Sequence, residues 1–405
     1  MEIFERVFFQ ELKRSAERPE VLVLHGARQT GKSTTLKWWL EQERLRGQTV
    51  VYLDAEDPAI LEVLNSGVQG FLGYLSALGF STGRLSVALD EVQYMDDPSR
   101  FLKLLYDHHR EGLKLAVSGS SSFALKSKFR ESLVGRTLPF EVFGLTFEER
   151  VRFAGKAWDF SVAWPAPLQD QARTFFRDMA ETGSYPGLVG VADRVLKARL
   201  IRQILQTYIQ TDVRELGRVR YPDRFDALVK VLAAQAGSLL QTSEVANTLR
   251  MARETVEEYL YLLEQTYVVQ RVRPFFHNLR SELTKAPKIY FEDNGLLALS
   301  RSRTFVPVDG TLLENAVFTE LRKLVGMEGL RFWRTTEGQE VDFLVNGELA
   351  IEVKLQPISS DAKHLRKLSS IYPHFRCLLC GLEAPRDLPD GIDFCYPWEL
   401  QRYIK

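Results

Sequence analysis

With 405 residues, 45% of them hydrophobic, the chain has apolar mass for about two to four domains. Its 53 basic and 53 acidic residues cancel, which excludes a global positive field, so any contact with nucleic acid must come from local patches. Three cysteines are too few for a disulfide framework, and no apolar run reaches the ~18 residues of a membrane span, so a cytoplasmic protein without membrane contact is expected.

The first element is the apolar run Val21-Leu22-Val23-Leu24, read as a strand. A loop follows that fits G-x-x-x-x-G-K-[ST] in full: Gly26, Ala27, Arg28, Gln29, Thr30, Gly31, Lys32 and Ser33, with Thr34 opening a helix. Glycines let backbone N–H groups wrap a phosphate, and the helix N-terminus adds positive potential. ATP is the expected cofactor, with Lys32 on the β- and γ-phosphates and Ser33 on Mg²⁺.

Further strands are expected at 50–54, 85–89 and 113–118, alternating with helices, which predicts a parallel α/β sheet. The third ends in Asp90 and Glu91. At this distance after a phosphate loop, Asp90 is expected to hold Mg²⁺ and Glu91 to polarise the attacking water. The next ends at Ser118 and runs into Gly119-Ser120-Ser121-Ser122. Ser118 or Ser120 is expected at the γ-phosphate or lytic water, with a plain serine-rich turn as the alternative. Within the basic segment 126–136, Arg136 is favoured over Arg130 as an arginine finger acting on a neighbouring subunit; solvated surface charge is the competing explanation. A helical stretch over 165–220 is broken at Gly183-Ser184-Tyr185-Pro186-Gly187.

Together, the phosphate loop, Leu89-Asp90-Glu91-Val92-Gln93, the Ser118–Ser122 turn and Glu131-Ser132-Leu133-Val134-Gly135-Arg136 resemble the bacterial and archaeal AAA+-type ATPases that carry a DUF4143 C-terminal region. Gly183-Ser184-Tyr185-Pro186 resembles the lid motif these share with signal-transduction (STAND) ATPases, which implies Pro186 near the adenine. Self-association into a ring, six subunits being the habit of such motors, is a further implication.

Residues 224–236, 242–249 and 253–265 read as three helices followed by a β-like 267–272, an order that suggests a winged helix. Glu254, Glu257, Glu258 and Glu264 on the third helix would repel phosphates. The ribbon, with Arg271, Arg273, Arg280, Lys285 and Lys288, suits the DNA backbone better. A protein–protein or spacer module is the alternative.

Near the C-terminus, Asn346-Gly347 is a hairpin signal between two apolar runs. A three-residue loop pairs Val345 with Leu349 and Asp342 with Glu352. It groups Val341, Phe343, Val345, Leu349, Ile351 and Val353 on a buried face, and Asp342, Glu352 and Lys354 on the other. Adjacent carboxylates beside a lysine suggest a Mg²⁺ or Mn²⁺ site with Lys354 as a catalytic group. This resembles the PD-(D/E)xK nuclease signature, which implies a further acid from the helix at 312–321, Glu314 before Glu320, and a polar helper at Gln356. Cys377-x-x-Cys380 lies in an apolar run and reads as buried strand.

The expected fold is α/β multidomain: a P-loop ATPase core at 1–155, a helical lid at 156–222, a winged helix at 223–300 and a restriction-endonuclease-like α/β domain at 301–405. The leading functional expectation is an oligomeric, ATP-hydrolysing protein that processes duplex or branched DNA such as Holliday junctions, as a translocase or branch-migration motor. Two others are a STAND-like ATP switch with protein-interaction modules and an ATP-gated, metal-dependent defence nuclease.

Overall fold

Val21 and Val23 pack on one side of the first strand and Leu22 and Leu24 on the other, so both faces of the sheet they enter are covered. The computed structural model describes residues 4–80, 84–119, 133–208, 222–275 and 285–404; Ser120, Arg130 and Arg280 lie outside them. Contacts divide the chain into two compact units, Met1–Phe143 and Gly144–Lys405.

The first unit holds β1 (Val21–His25), β2 (Thr49–Asp54), β3 (Leu85–Asp90), β4 (Leu113–Gly119) and β5 (Thr137–Glu141). All pair in parallel, in the order β2-β3-β4-β1-β5. Because β4 lies between β1 and β3, the end of β4 sits between the loop after β1 and the acids after β3. The helix Lys32–Leu45 buries Leu36, Trp39 and Leu40 on this sheet.

In the second unit, β6 (Val269–Pro274), β7 (Lys288–Phe291), β8 (Leu330–Arg334), β9 (Glu340–Val345), β10 (Leu349–Lys354), β11 (Arg376–Gly381) and β12 (Ile392–Cys395) form one sheet in the order β12-β11-β10-β9-β8-β6-β7. The ribbon expected to follow the third helix is thus not confined to that module. β6 runs parallel to β8, with Arg273 beside Arg331 and Pro274 beside Phe332. That pairing satisfies a strand edge which would otherwise present open N–H and C=O groups. Helices Pro222–Ala234, Thr242–Leu249 and Arg253–Gln265 precede the ribbon, and Leu239 bridges Lys288.

The β9–β10 hairpin has the register read from its apolar pattern: Val345 opposite Leu349, Leu344 opposite Ala350, Phe343 opposite Ile351. Asn346 (φ 51°) and Gly347 (φ 73°) take the left-handed conformation that the tight turn requires. One expectation fails. Val341 packs with Leu344 and Ala350, not with Phe343, and β8 and β9 shift register between Arg331 and Trp333. The opposite face is not open either, because Leu365 and Leu368 of helix Lys363–Ile371 cover it. Cys377, Cys380 and Cys395 are buried and unbridged.

A buried polar network ties this unit together. Asn315 accepts from Phe291 N at 2.8 Å and donates to Phe291 O at 3.0 Å and Asn294 Oδ1 at 2.8 Å. Asn294 donates to Ala180 O and Leu312 O. Glu320, the second-choice acid, accepts from Phe147 N at 2.9 Å and from Lys323 at 3.1 Å, which is a packing role.

Candidate functional site

The phosphate loop leaves β1 at Gly26 (φ 151°), where an added Cβ would lie 2.2 Å from Val142 O, so only glycine fits. Gln29 (φ 60°) and Gly31 (φ 98°) curl the backbone in the left-handed region, as an anion-holding nest requires. Thr30 Oγ1 donates to Ala27 O at 2.8 Å, and buried Arg6 braces the loop through Thr30 O at 3.2 Å. Lys32 is 5% exposed, and its Nζ donates to Gly26 O at 3.1 Å and Ala27 O at 2.8 Å. Arg28, Ser33 and Thr34 are half-buried around it and Gln29 is exposed.

Asp90 ends β3 only 2% exposed. Tyr52 on β2 donates its hydroxyl to Asp90 Oδ2 at 2.5 Å, and Ser118 on β4 donates to Oδ1. Burial, and then Asp90, raise the Tyr52 pKa and keep the phenol a donor. Ser118 also accepts from Glu91 N at 3.1 Å, so this serine is committed to positioning both acids. Glu91 stands in the left-handed region (φ 54°) and takes a hydrogen bond from the Gln93 amide. Burial raises its pKa; Gln93, Lys32 and Arg28 oppose that rise. Tyr52 was invisible to motif reading, since nothing in its spacing marks it.

Arg136 is held by Asp107, Nε to Oδ1 at 2.7 Å and Nη2 to Oδ2 at 3.2 Å, and would have to leave this partner to act on another subunit. Pro186 opens a short 3-10 turn, Pro186–Leu188. The residues before it are fastened: Ser184 N and Oγ donate to Asp293 Oδ2 at 2.7 and 3.0 Å, and Arg150 donates to Gly183 O at 2.5 Å.

Around the hairpin, Asp342 and Glu352 are buried, and the half-buried Glu314 joins them. Lys288, assigned from sequence to a DNA-facing ribbon, is corrected by its burial. It is 1% exposed, and its Nζ lies 3.2 Å from Glu314, 2.6 Å from Glu340 and 3.3 Å from Asp342. Its side chain follows the attraction of three carboxylates in a low-dielectric interior rather than facing water. Burial works against that charge, but Tyr290, Asp342, Glu314 and Glu340 outweigh it and raise the Lys288 pKa. Tyr290 donates to Glu314 Oε1 at 2.6 Å, and Lys354 donates to Glu352 Oε1 at 2.5 Å. Burial, and next Asp342, push Glu314 up to about 7 and Glu352 up to about 8. Lys354 and Gln356 line a neighbouring cavity of about 780 Å³. Among the described residues no group of three or more His, Cys, Asp or Glu is arranged to hold a metal ion. Glu340 and Tyr290 were not anticipated. The signal was alternation, since each lies two strand positions from a residue already singled out.

Of the other ribbon cations, Arg271 is engaged by Glu257 at 2.9 Å and Glu264 at 2.7 Å, which neutralises two of the acids thought to repel phosphates. Arg273 and Lys285 line a cavity of about 460 Å³ with Arg253, Thr242 and Ser243.

Residues 18–151 match the family model AAA_14, described as an AAA domain, and residues 309–399 match DUF4143, a domain of unknown function. The chain thus carries one segment that matches an AAA domain and another that matches DUF4143. Between them, residues 173–304 match another domain of unknown function, DUF8612, which spans most of the segment expected to form a lid together with the three-helix segment. Among relatives, the uncharacterized protein Rv2008c of Mycobacterium tuberculosis is 28% identical over 93% of this chain and 77% of its own. An uncharacterized Haemophilus influenzae protein is 22% identical over 97% and 98%. Solved structures similar to this chain include AMPPCP-bound DnaA from Aquifex aeolicus (16% identity, 65% of this chain and 89% of that one, TM-score 0.29). The Thermotoga maritima RuvB Holliday junction branch migration motor is another (14%, 65% and 87%, TM-score 0.33). At these TM-scores neither likeness carries an argument.

Proposed function

We propose that this protein is a Mg²⁺-dependent ATPase whose turnover powers work on duplex or branched DNA by an assembly of several copies. The observation that carries the ATPase reading is Asp90, fixed on both oxygens by the hydroxyls of Tyr52 and Ser118 on neighbouring strands. The residues fit the nucleotide and its cation. The curled backbone of 26–31 and Lys32 would hold the phosphates, and Ser33 with Asp90 the Mg²⁺, which supplies charge neutralisation when bound. Glu91, kept from water on part of its surface, would take the proton of the attacking water. Ser118 would hold both acids in register. Arg136 as a finger on a neighbouring copy, Pro186 at the adenine and the ring itself belong to this proposal.

Support for the DNA reading comes from the cleft where Arg253, Arg273 and Lys285 gather with Thr242 and Ser243. Cations beside small hydroxyl donors suit phosphate oxygens, so backbone contact independent of sequence is the expected mode. A nucleotide switch acting on protein partners is the second reading. It is favoured by the bonding of Gly183 and Ser184 into the buried network of the second unit, which would spread any movement of that segment. Turnover separates the two. ATP hydrolysis should need Mg²⁺, vanish in Lys32→Ala, and rise when forked, four-way or linear DNA is added at low salt. Hydrolysis unaltered by every DNA would leave the switch; no hydrolysis with intact Lys32 would remove the ATPase.

A further inference from the structure

We propose that Lys288 is the resident cation of the nuclease-like site: its ammonium takes the place a divalent metal would need, so the site binds no metal, cuts no phosphodiester, and serves to anchor the ribbon strand β7. This goes beyond the ATPase reading and does not depend on it.

The argument rests on how the acid oxygens are used. Asp342 gives Oδ1 to Lys288 at 3.3 Å and Oδ2 to the Val353 amide at 2.9 Å. Glu340 gives one oxygen to Lys288 at 2.6 Å and the other to Arg334 at 2.6 Å. Glu314 Oε1 serves both Lys288 and Tyr290. Glu352 Oε1 holds Lys354, and only its Oε2 is buried without a hydrogen bond. A hard divalent cation needs several oxygens at about 2.0–2.6 Å. Here those oxygens converge on an ammonium instead, and a metal drawn to them would meet a like charge at close range with little water to screen it.

The ammonium is also held in place. Lys288 begins β7, is paired with Val272 on β6 and bridged to Leu239, and its Nζ lies 5.7 Å from the centroid of Phe332. Gly237 N donates to Ile289 O at 2.8 Å, and the Gly237 backbone (φ 78°) approaches so closely that an added Cβ would stand 3.2 Å from the Glu314 carboxylate. Ribbon, preceding helix and acid cluster are packed as one piece, and removing the lysine from the acids would pull β7 out of register.

Binding of Mn²⁺ to the full chain, nucleotide-free, followed by electron paramagnetic resonance, tests this. Wild type and Asp342→Asn should give the same titration up to millimolar metal, and neither should nick supercoiled DNA with Mn²⁺ or Mg²⁺. Lys288→Met should gain one Mn²⁺ site, at least about tenfold tighter than any in wild type, that a second change Asp342→Asn removes. A wild-type site lost in Asp342→Asn, or metal-dependent nicking lost with it, overturns the proposal. So does a folded Lys288→Met that gains nothing. Should Lys288→Met not fold, the wild-type and Asp342→Asn titrations decide: agreement upholds the proposal and an Asp342-dependent site refutes it.

Discussion

Removing one oxygen atom, in Tyr52→Phe, tests the reading of the nucleotide site. The ring stays and keeps its packing, including the approach of Lys37 Nζ to 5.0 Å from its centroid, so the fold should not change. What disappears is the donor to Asp90 Oδ2 at 2.5 Å. A hydrogen bond to a charged, buried group contributes about 1.5–3 kcal/mol. Tyr52 itself is only half-buried, so the lower figure applies, roughly 1.5 kcal/mol or about tenfold in rate or affinity. Ser118 remains on the other oxygen, which limits the damage to a carboxylate that is looser rather than lost. ATP hydrolysis measured against MgCl₂ at fixed ATP should show about tenfold lower kcat/KM, or about tenfold more Mg²⁺ for half-maximal rate, with an unchanged far-UV spectrum. Rates within about twofold of wild type across the whole Mg²⁺ titration would refute the claim that Tyr52 positions Asp90, the acid proposed to hold the metal.

Three other expectations are independent of that one. Glu91 must be ionised to accept a proton, and burial raises its pKa above 4.5, so hydrolysis should rise with pH along an acid limb displaced upward from the ordinary carboxylate range. Glu91→Gln should bind ATP, hydrolyse it slowly and lose that limb; an identical limb in the variant would remove Glu91 from the chemistry. Asp293, 5% exposed, accepts from Ser184 N, Ser184 Oγ, Gly295 N and Leu296 N. Asp293→Ala leaves those donors buried and should cost about 4 kcal/mol in urea unfolding, with Asp293→Asn losing less; a cost under about 1 kcal/mol would contradict the assigned network. Lys114, 1% exposed, has its pKa pushed by burial down to about 8 from 10.5. The unfolded chain then holds the extra proton between those values, so stability should climb as pH rises from about 8 to 10.5, by roughly 3 kcal/mol at most, and Lys114→Met should flatten the climb. Parallel pH profiles of the two proteins would exclude Lys114 as the source.

Local pattern was enough for the parallel sheet of the first unit and for the glycine loop between its first strand and the helix Lys32–Leu45. Continuous apolar runs such as Val21–Leu24 have few other uses, and a glycine loop between strand and helix is a short-range solution to holding an anion. The β9–β10 register was legible for a similar reason: shifting the loop by one residue would have turned Phe343 and Ile351 to opposite faces. Tyr52 and Lys288 were different. Tyr52 meets Asp90 across 38 positions and Lys288 meets Asp342 across 54, and neither partner leaves a mark in the sequence around the other. Whether a lysine on a ribbon faces solvent or a cluster of buried acids depends on which strand lies next to which, and β6 beside β8 follows from packing of the whole second unit rather than from any short stretch of residues. For a titratable group, burial and neighbours decide the charge it carries, and both are set only when distant segments meet.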